Sequence, residues 1–198
     1  MMIQIYKPNS KNTGSAFTFT KSKNLQNGSP ALYFSAIAQH GWNDETKTGS
    51  FAGNAKDPSK TINVKISELE AGDFISAFNN RYEHTAFHSY DGNNSTIKAT
   101  PWDKPVKVSK YNPSSKKYEE GQINVPAFGI TLSKGKGNTI KIALDPGEVE
   151  NLKILLSSFI SDSLEFKFNS NLSKSSSYNK QNKQEENIEE EELESAPF

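Results

Sequence analysis

Residues 60–78, KTINVKISELEAGDFISAF, change their hydrophobic period halfway along, and this restricts the fold more than any other feature of the chain. Ile62, Val64 and Ile66 alternate with Asn63 and Lys65, the period of two that turns one face of a strand inward. At Ser67 the alternation stops. Ser67 and Glu70 have the spacing of a capping box, which satisfies the free N–H groups at a helix start. Leu69, Phe74, Ala77 and Phe78 then recur so that they can share one helical face. A half-buried strand therefore runs straight into an amphipathic helix.

The flanking segments extend this pattern. Residues 2–8 read as a strand ending before Pro8. In GSAFTFTKS, Phe17 and Phe19 alternate with threonines, and Asn27-Gly28 is a hairpin turn signal before the more buried strand ALYFSAIAQ. Residues 39–59 are rich in Gly, Asn and Lys and read as a long loop. After the helix, EHTAFHSYD and STIKATPW flank an Asp91-Gly92 turn, and residues 103–125 form a second polar, Lys- and Pro-rich insertion. AFGITLSK and NTIKIALD are joined by GKG. Asp145, Pro146 and Glu148 then mark a second helix start. Its stripe is Val149, Leu152, Leu155, Leu156, Phe159 and Ile160.

The order is four strands, helix, four strands, helix. With hairpin links in place of crossover helices, this predicts an α+β domain of antiparallel sheets over residues 1–168. Beyond Phe168 the composition turns to Ser, Asn, Gln and Lys, so residues 169–198 are expected as a disordered linker and acidic tail.

Little catalytic chemistry is offered. The chain has no cysteine, which removes disulfides and thiolate metal sites and suits a reducing cytoplasm. MMIQIYKPNS lacks the pattern of a signal peptide, and no stretch reaches the length of a membrane span. His84 and His88 stand four apart. On a strand that separates them by about 13 Å, too far to share an ion. SKGKGN lacks the Walker spacing and reads as a hairpin turn. The expectation is a protein without metal, cofactor or enzymatic activity.

Binding chemistry is better represented. The 23 basic and 23 acidic residues cancel, but seven glutamates fall within residues 185–194. Set apart, they leave 16 acidic against 23 basic residues, a body of charge near +7 that suits a polyanion. Arg81 is the only arginine. Lysines contact phosphates without reading sequence, whereas base edges in duplex DNA favour arginine forks. Aromatic residues make up 11% of the chain, and several fall among polar strand neighbours or in loops: Tyr33, Trp42, Phe51, Tyr90, Trp102 and Tyr111. Such rings can stack on unpaired bases.

The candidate ring contacts are Tyr33, Trp42, Tyr90 and Trp102. Strand parity places Trp102 with Lys98, provided Pro101 leaves the register intact. The candidate phosphate contacts are Lys21, Lys23, Lys60, Lys65, Lys98, Lys134 and Lys136. Phe17, Phe19, Phe34, Phe128 and Phe159 are assigned to the core. The stripe on the second helix is wide for one sheet, so Leu152, Leu156, Phe159 and Ile160 are expected at an oligomer interface.

The strand–Ser-x-x-Glu–helix step at 60–78, the segment AFHSYD, and the strand–Pro–helix unit at 138–161 come in an order that resembles the Whirly family of single-stranded DNA-binding proteins. The chain is more distantly similar to the positive-cofactor coactivators that share that fold. The resemblance covers roughly residues 2–162. It implies two antiparallel four-stranded sheets packed crosswise, with helices at an oligomer interface forming dimers or tetramers. It also implies single-stranded DNA along the strand edges, bound with little sequence preference. The family's Lys-Gly-Lys-Ala-Ala-Leu motif has no counterpart here, and the insertions 39–59 and 103–125 are further departures.

The C-terminus, EENIEEEELESAPF, resembles the acidic tip of bacterial and phage single-strand binding proteins. The resemblance implies a docking peptide for replication or repair proteins, formed by Glu191, Glu192, Glu194, Pro197 and Phe198. Physically, the Phe198 ring can enter an apolar pocket while its carboxylate meets a cation. The expected protein coats single-stranded DNA during replication, recombination or repair in the cytoplasm of a bacterial or phage-infected cell. The alternatives are a transcriptional regulator on melted promoter DNA and an RNA-binding chaperone.

Overall fold

Alternating apolar residues draw the chain into two antiparallel four-stranded sheets. The computed structural model describes residues 1–90, 93–135 and 137–194, with the backbone alone for residues 90, 93 and 173–194. β1 (Met2–Lys7), β2 (Ser15–Lys23) and β3 (Pro30–Ala38) come first. After a small hairpin of β4 (Gly41–Asn43) and β5 (Thr48–Ser50), β6 (Thr61–Ile66) returns beside β3. The first sheet therefore has the order β1-β2-β3-β6. Helix α1 (Glu68–Asn80) leads into β7 (His84–Tyr90), β8 (Asn93–Asn112), β9 (Lys117–Lys134) and β10 (Asn138–Leu144), which form the second sheet in the order β10-β9-β8-β7. Helix α2 spans Pro146–Glu194.

The turn chemistry read from the sequence is present where it is described. Gly28 takes φ 71° between β2 and β3. The Asp91-Gly92 turn lies outside the described residues. Ser67 caps α1: its hydroxyl accepts from the Glu70 N–H, and the Glu70 carboxylate accepts from the Ser67 N–H at 2.8 Å. The helix ends at Arg81, which is left-handed at φ 55°.

Inward residues of both sheets and both helices merge into one core within residues 1–160, which form one compact unit. Phenylalanine rings link the layers. Phe19 meets Phe34 edge-on at 4.7 Å, Phe34 reaches Phe74 on α1, and Phe78 meets Phe128 of the second sheet at 4.9 Å. Each such pair adds about 0.5–1.5 kcal/mol beyond its buried area. All five phenylalanines assigned to the core are buried. On α1, however, Leu69 is 78% exposed and Ala71 takes its place in the core.

Both insertions are ordered. In 39–59, three-residue strands are too short for alternation to show. The Asn43 side chain accepts from the Glu45 and Thr46 N–H groups and turns the β4–β5 hairpin. Buried Gln39 ties the hairpin to the β1–β2 loop through Asn9, Asn12 and the Gly41 carbonyl. Gly49 is needed there, since a Cβ would lie 2.3 Å from Pro8. Residues 103–125 continue β8 and β9 as a two-stranded ribbon, from Asp103 opposite Pro126 to Asn112 opposite Lys117. Its prolines argue against a strand inside a sheet, but each ribbon strand has only one neighbour and so spares the missing N–H.

The stripe of α2 faces inward. Leu152 and Leu156 are fully buried, Phe159 is 2% exposed, and Ile160 packs half-buried against the same core. Leu152, Leu156 and Phe159 are thus core residues of a single chain, where the sequence reading expected an oligomer interface, and Ile160 stays half-buried at their edge. The sheets leave enough apolar surface to cover a stripe of that width. Residues 161–198 form a separate unit. The backbone of 169–194, read from sequence as linker and tail, is helical within α2. Glu, Gln and Lys, all good helix formers, crowd its second half, and no proline intervenes before Pro197.

Candidate nucleic-acid interface

Because the core takes one face of each sheet, strand parity sends a second set of side chains outward. On the first sheet, cross-strand register aligns Met2, Thr20, Tyr33 and Lys65 in one row, and Gln4, Thr18, Ser35 and Asn63 in the next. Lys65, Asn63, Gln4 and Met2 are exposed, and Tyr33, Ser35, Thr18 and Thr20 half-buried. Ser35 donates to the Asn63 side chain at 2.8 Å. Tyr6, 54% exposed on the same face, meets the Phe51 ring of the 39–59 insertion at 5.8 Å. The result is a hydroxyl- and amide-rich surface with aromatic rings and a lysine, without carboxylates in these rows.

The second sheet repeats this arrangement. Thr85, Lys98, Thr131 and Lys141 form one outward row, and Phe87, Thr96, Ser133 and Thr139 the next. Pro101 does not break the register: Trp102 pairs opposite Ala127 and points to the Lys98 side at 37% exposure. Lys98 makes a 2.8 Å ion pair with Glu83. The hydrogen bond from Lys98 holds the Glu83 carboxyl below its ordinary pKa. Both partners are exposed, so the pair contributes little to stability.

Other expected contacts are placed elsewhere. Lys21 shares the inward parity of Phe17 and Phe19, and its ammonium donates to the Ser158 hydroxyl of α2 at 2.6 Å, which makes it a tie between sheet and helix. Lys23 is exposed at the end of β2. Lys60 and Lys134 flank a junction of the sheets, where Asn138, the strand partner of Lys134, donates to the carbonyls of Pro58 and Thr61. Trp42 is half-buried in its hairpin, with its indole N–H on Asp44 at 3.1 Å. The Tyr90 side chain and Lys136 lie outside the described residues, as do the side chains of Glu191, Glu192 and Glu194 and the whole of Pro197 and Phe198. Sequence reasoning passed over Phe87, which is 63% exposed, and Lys141. The inward parity of Ala86 and His88 was the available signal for Phe87.

Two clefts flank these faces. One, of about 590 Å³, is lined by Pro30, Lys65, Ser67, Glu68, Glu70, His88 and Phe159. The other, of about 570 Å³, lies where the β1–β2 loop meets β10, among Asn12, Thr13, Ser15, Thr139 and Lys141. In the first, His88 Nε2 stands 2.8 Å from a Glu70 carboxylate oxygen, at ion-pair distance. His84 packs edge-on to Phe74 at 4.9 Å. Both histidines belong to one strand, as their spacing argument assumed.

At the base of the ribbon, Asp145 accepts from Lys104 and, at 3.2 Å, from Lys7, which also pairs with Glu148 at 2.8 Å. The hydrogen bond from Lys104 is the main influence lowering the Asp145 pKa; burial opposes it and Lys7 adds to it. Burial works against the Lys7 ammonium, but Glu148 and Asp145 together outweigh it and raise its pKa.

The backbone arrangement is similar to that of solved structures. WHY1 from Arabidopsis thaliana superposes with a TM-score of 0.54 at 14% identity, over 90% of this chain and 93% of that one. This is a Whirly-like fold. WHY3 from the same plant gives a TM-score of 0.50 at 13% identity, over 90% and 96% of the two chains. No family model and no curated relative matches the sequence. The two four-stranded sheets and two helices are as the resemblance implied, and the 39–59 and 103–125 segments carry a hairpin and a ribbon of their own.

Proposed function

We propose that this protein binds single-stranded DNA with little sequence preference, coats it during replication, recombination or repair, and recruits partner proteins through its acidic C-terminal tip. The observation that carries the reading is the make-up of the two outward sheet faces, where Tyr33 stands beside Lys65, and Trp102 and Phe87 lie on the face of Lys98. Rings accept bases of any identity, and lysines accept phosphates without sequence information. The Whirly-like fold supports the same reading. In this view the protein is a binder without catalysis, works in the cytoplasm of a bacterial or phage-infected cell, and assembles with copies of itself.

Competition among poly(dT), duplex DNA and single-stranded RNA tests the proposal. The expected ranking places poly(dT) first, with little difference among mixed single-stranded sequences. A preference for RNA favours a chaperone, and a preference for one promoter-like sequence favours a transcriptional regulator. Either result displaces the proposal.

A further inference from the structure

The ribbon that extends β8 and β9 is unsupported by the rest of the sheet. β7 pairs with β8 only as far as Ala99, and β10 with β9 only as far as Phe128. Beyond Trp102, ten further residue pairs continue to Asn112 and Lys117, a reach of about 30 Å at ~3.3 Å per residue. A two-stranded ribbon alone in water is marginally stable. This one is nevertheless pinned at both ends. At its base, Lys104 bonds Asp145 and Asp103 pairs with Arg81 at 2.8 Å. At its tip, Asn112 accepts from the Ser114 N–H and donates to Glu119, which also accepts from Ser115.

The tip carries a specific chemistry. Tyr111 and Tyr118 stand opposite one another with ring centroids 5.4 Å apart, and they are 53% and 73% exposed. Lys107 shares their face. Among the described residues, Lys107, Lys110, Lys116 and Lys117 are exposed and make no ion pair. We propose that the ribbon is a second contact for single-stranded nucleic acid, with the Tyr111–Tyr118 pair receiving a base and these lysines the neighbouring phosphates. The inference rests on the single-strand reading above and extends it to a site outside the sheet faces. The patch itself selects the occupant: two exposed rings for a base stand beside four exposed lysines for phosphates, and a nucleic-acid strand presents both groups together.

Equilibrium titration of fluorescein-labelled dT10 and dT30 with the full-length protein tests this, using wild type, Tyr111→Ala/Tyr118→Ala and Lys116→Gln/Lys117→Gln. All four positions are exposed, so the variants are expected to melt as wild type does. The tyrosine pair variant should lose at least about fivefold in affinity for dT30, the low end for one stacked base. The lysine pair variant should flatten the log–log salt slope by about 1.4, two phosphates at ~0.7 each. Both losses should be smaller on dT10, which has few nucleotides left for the tip once it lies on a sheet face. Variants that bind dT30 as wild type does overturn the inference and leave the single-strand reading intact. So do variants that change the assembly mass but not the affinity, since the ribbon then contacts another copy. A wild-type protein that binds neither oligonucleotide removes the single-strand reading, and this inference with it.

Discussion

Tyr33 and Lys65 face each other across β3 and β6 on the outward side of the first sheet, the ring half-buried and the ammonium exposed. They are 32 positions apart in sequence, yet strand pairing sets them side by side, where the proposed function gives the ring a base and the ammonium its phosphate. Tyr33→Ala should weaken oligo(dT) binding by about fivefold or more. Lys65→Gln should remove about 0.7 from the salt slope. The double variant should lose less than the sum of the two, as neighbours on one ligand do. Anisotropy titrations at several salt concentrations measure this, and strict additivity would place the two residues at separate sites.

The chain has two tryptophans, so each single variant isolates the fluorescence of the other. Trp102, on the open face of the second sheet, should quench when oligo(dT) is added to Trp42→Ala. Trp42, whose indole N–H is held by Asp44, should respond less in Trp102→Ala. Neither substitution should abolish the cooperative melt, because neither ring is buried. Equal quenching in both variants would mean that the β4–β5 hairpin also touches the strand.

Leu156 separates core from interface. As a fully buried residue, Leu156→Ala should cost about 2–5 kcal/mol by urea unfolding. Leu156→Glu should fail to fold instead of yielding smaller soluble species, because a buried carboxylate there has no partner. A Leu156→Glu protein that melts normally but sediments as a smaller species would return the stripe to an interface.

The network of Lys7, Lys104 and Asp145 ties β1, the ribbon base and α2 together. Asp145 has a lowered pKa, so its contribution is present above the ordinary carboxylate value near ~3.9 and disappears as pH falls through its folded value. Lys7 has a raised pKa, so its contribution is present below the ordinary value and disappears as pH rises through the folded one. The urea midpoint of Asp145→Asn should therefore lie below that of wild type by a constant amount in the neutral range. The gap should close in acid, and it should shrink with salt because these side chains are about one-third exposed. A gap that survives undiminished in strong acid would show that shape, and not charge, is lost.

The two roles proposed for the C-terminus can be separated. Deleting 185–198 removes seven glutamates, so DNA binding should tighten at low salt, with the gain fading as salt rises. Deleting Phe198 alone leaves every glutamate. DNA affinity should then stay unchanged while recruitment of partner proteins drops. Pull-downs with full-length, tail-less and Phe198-deleted protein measure this. If the Phe198 deletion keeps every partner that tail removal loses, charge alone recruits them.

The sequence by itself determined what depends on near neighbours. The period of two in β2 and β6, the Ser67–Glu70 capping box, the Asn27-Gly28 turn and the apolar stripe of α2 each follow from residues a few positions apart. Those local rules were enough for the order of elements, and the order was enough for a Whirly-like fold. Only the tertiary structure decided what covers each face. The width of the α2 stripe is visible in sequence, but whether Leu156 meets its own sheets or a second copy depends on surface contributed by residues more than a hundred positions earlier. Lys21 and Lys65 look alike along the chain, yet one is turned onto Ser158 and the other to solvent. Residues 103–125 read as loop because each half is polar and interrupted by proline. They become a ribbon only when Val106 finds Ile123 and Tyr111 finds Tyr118, because a strand is stabilised by its partner and not by its own sequence.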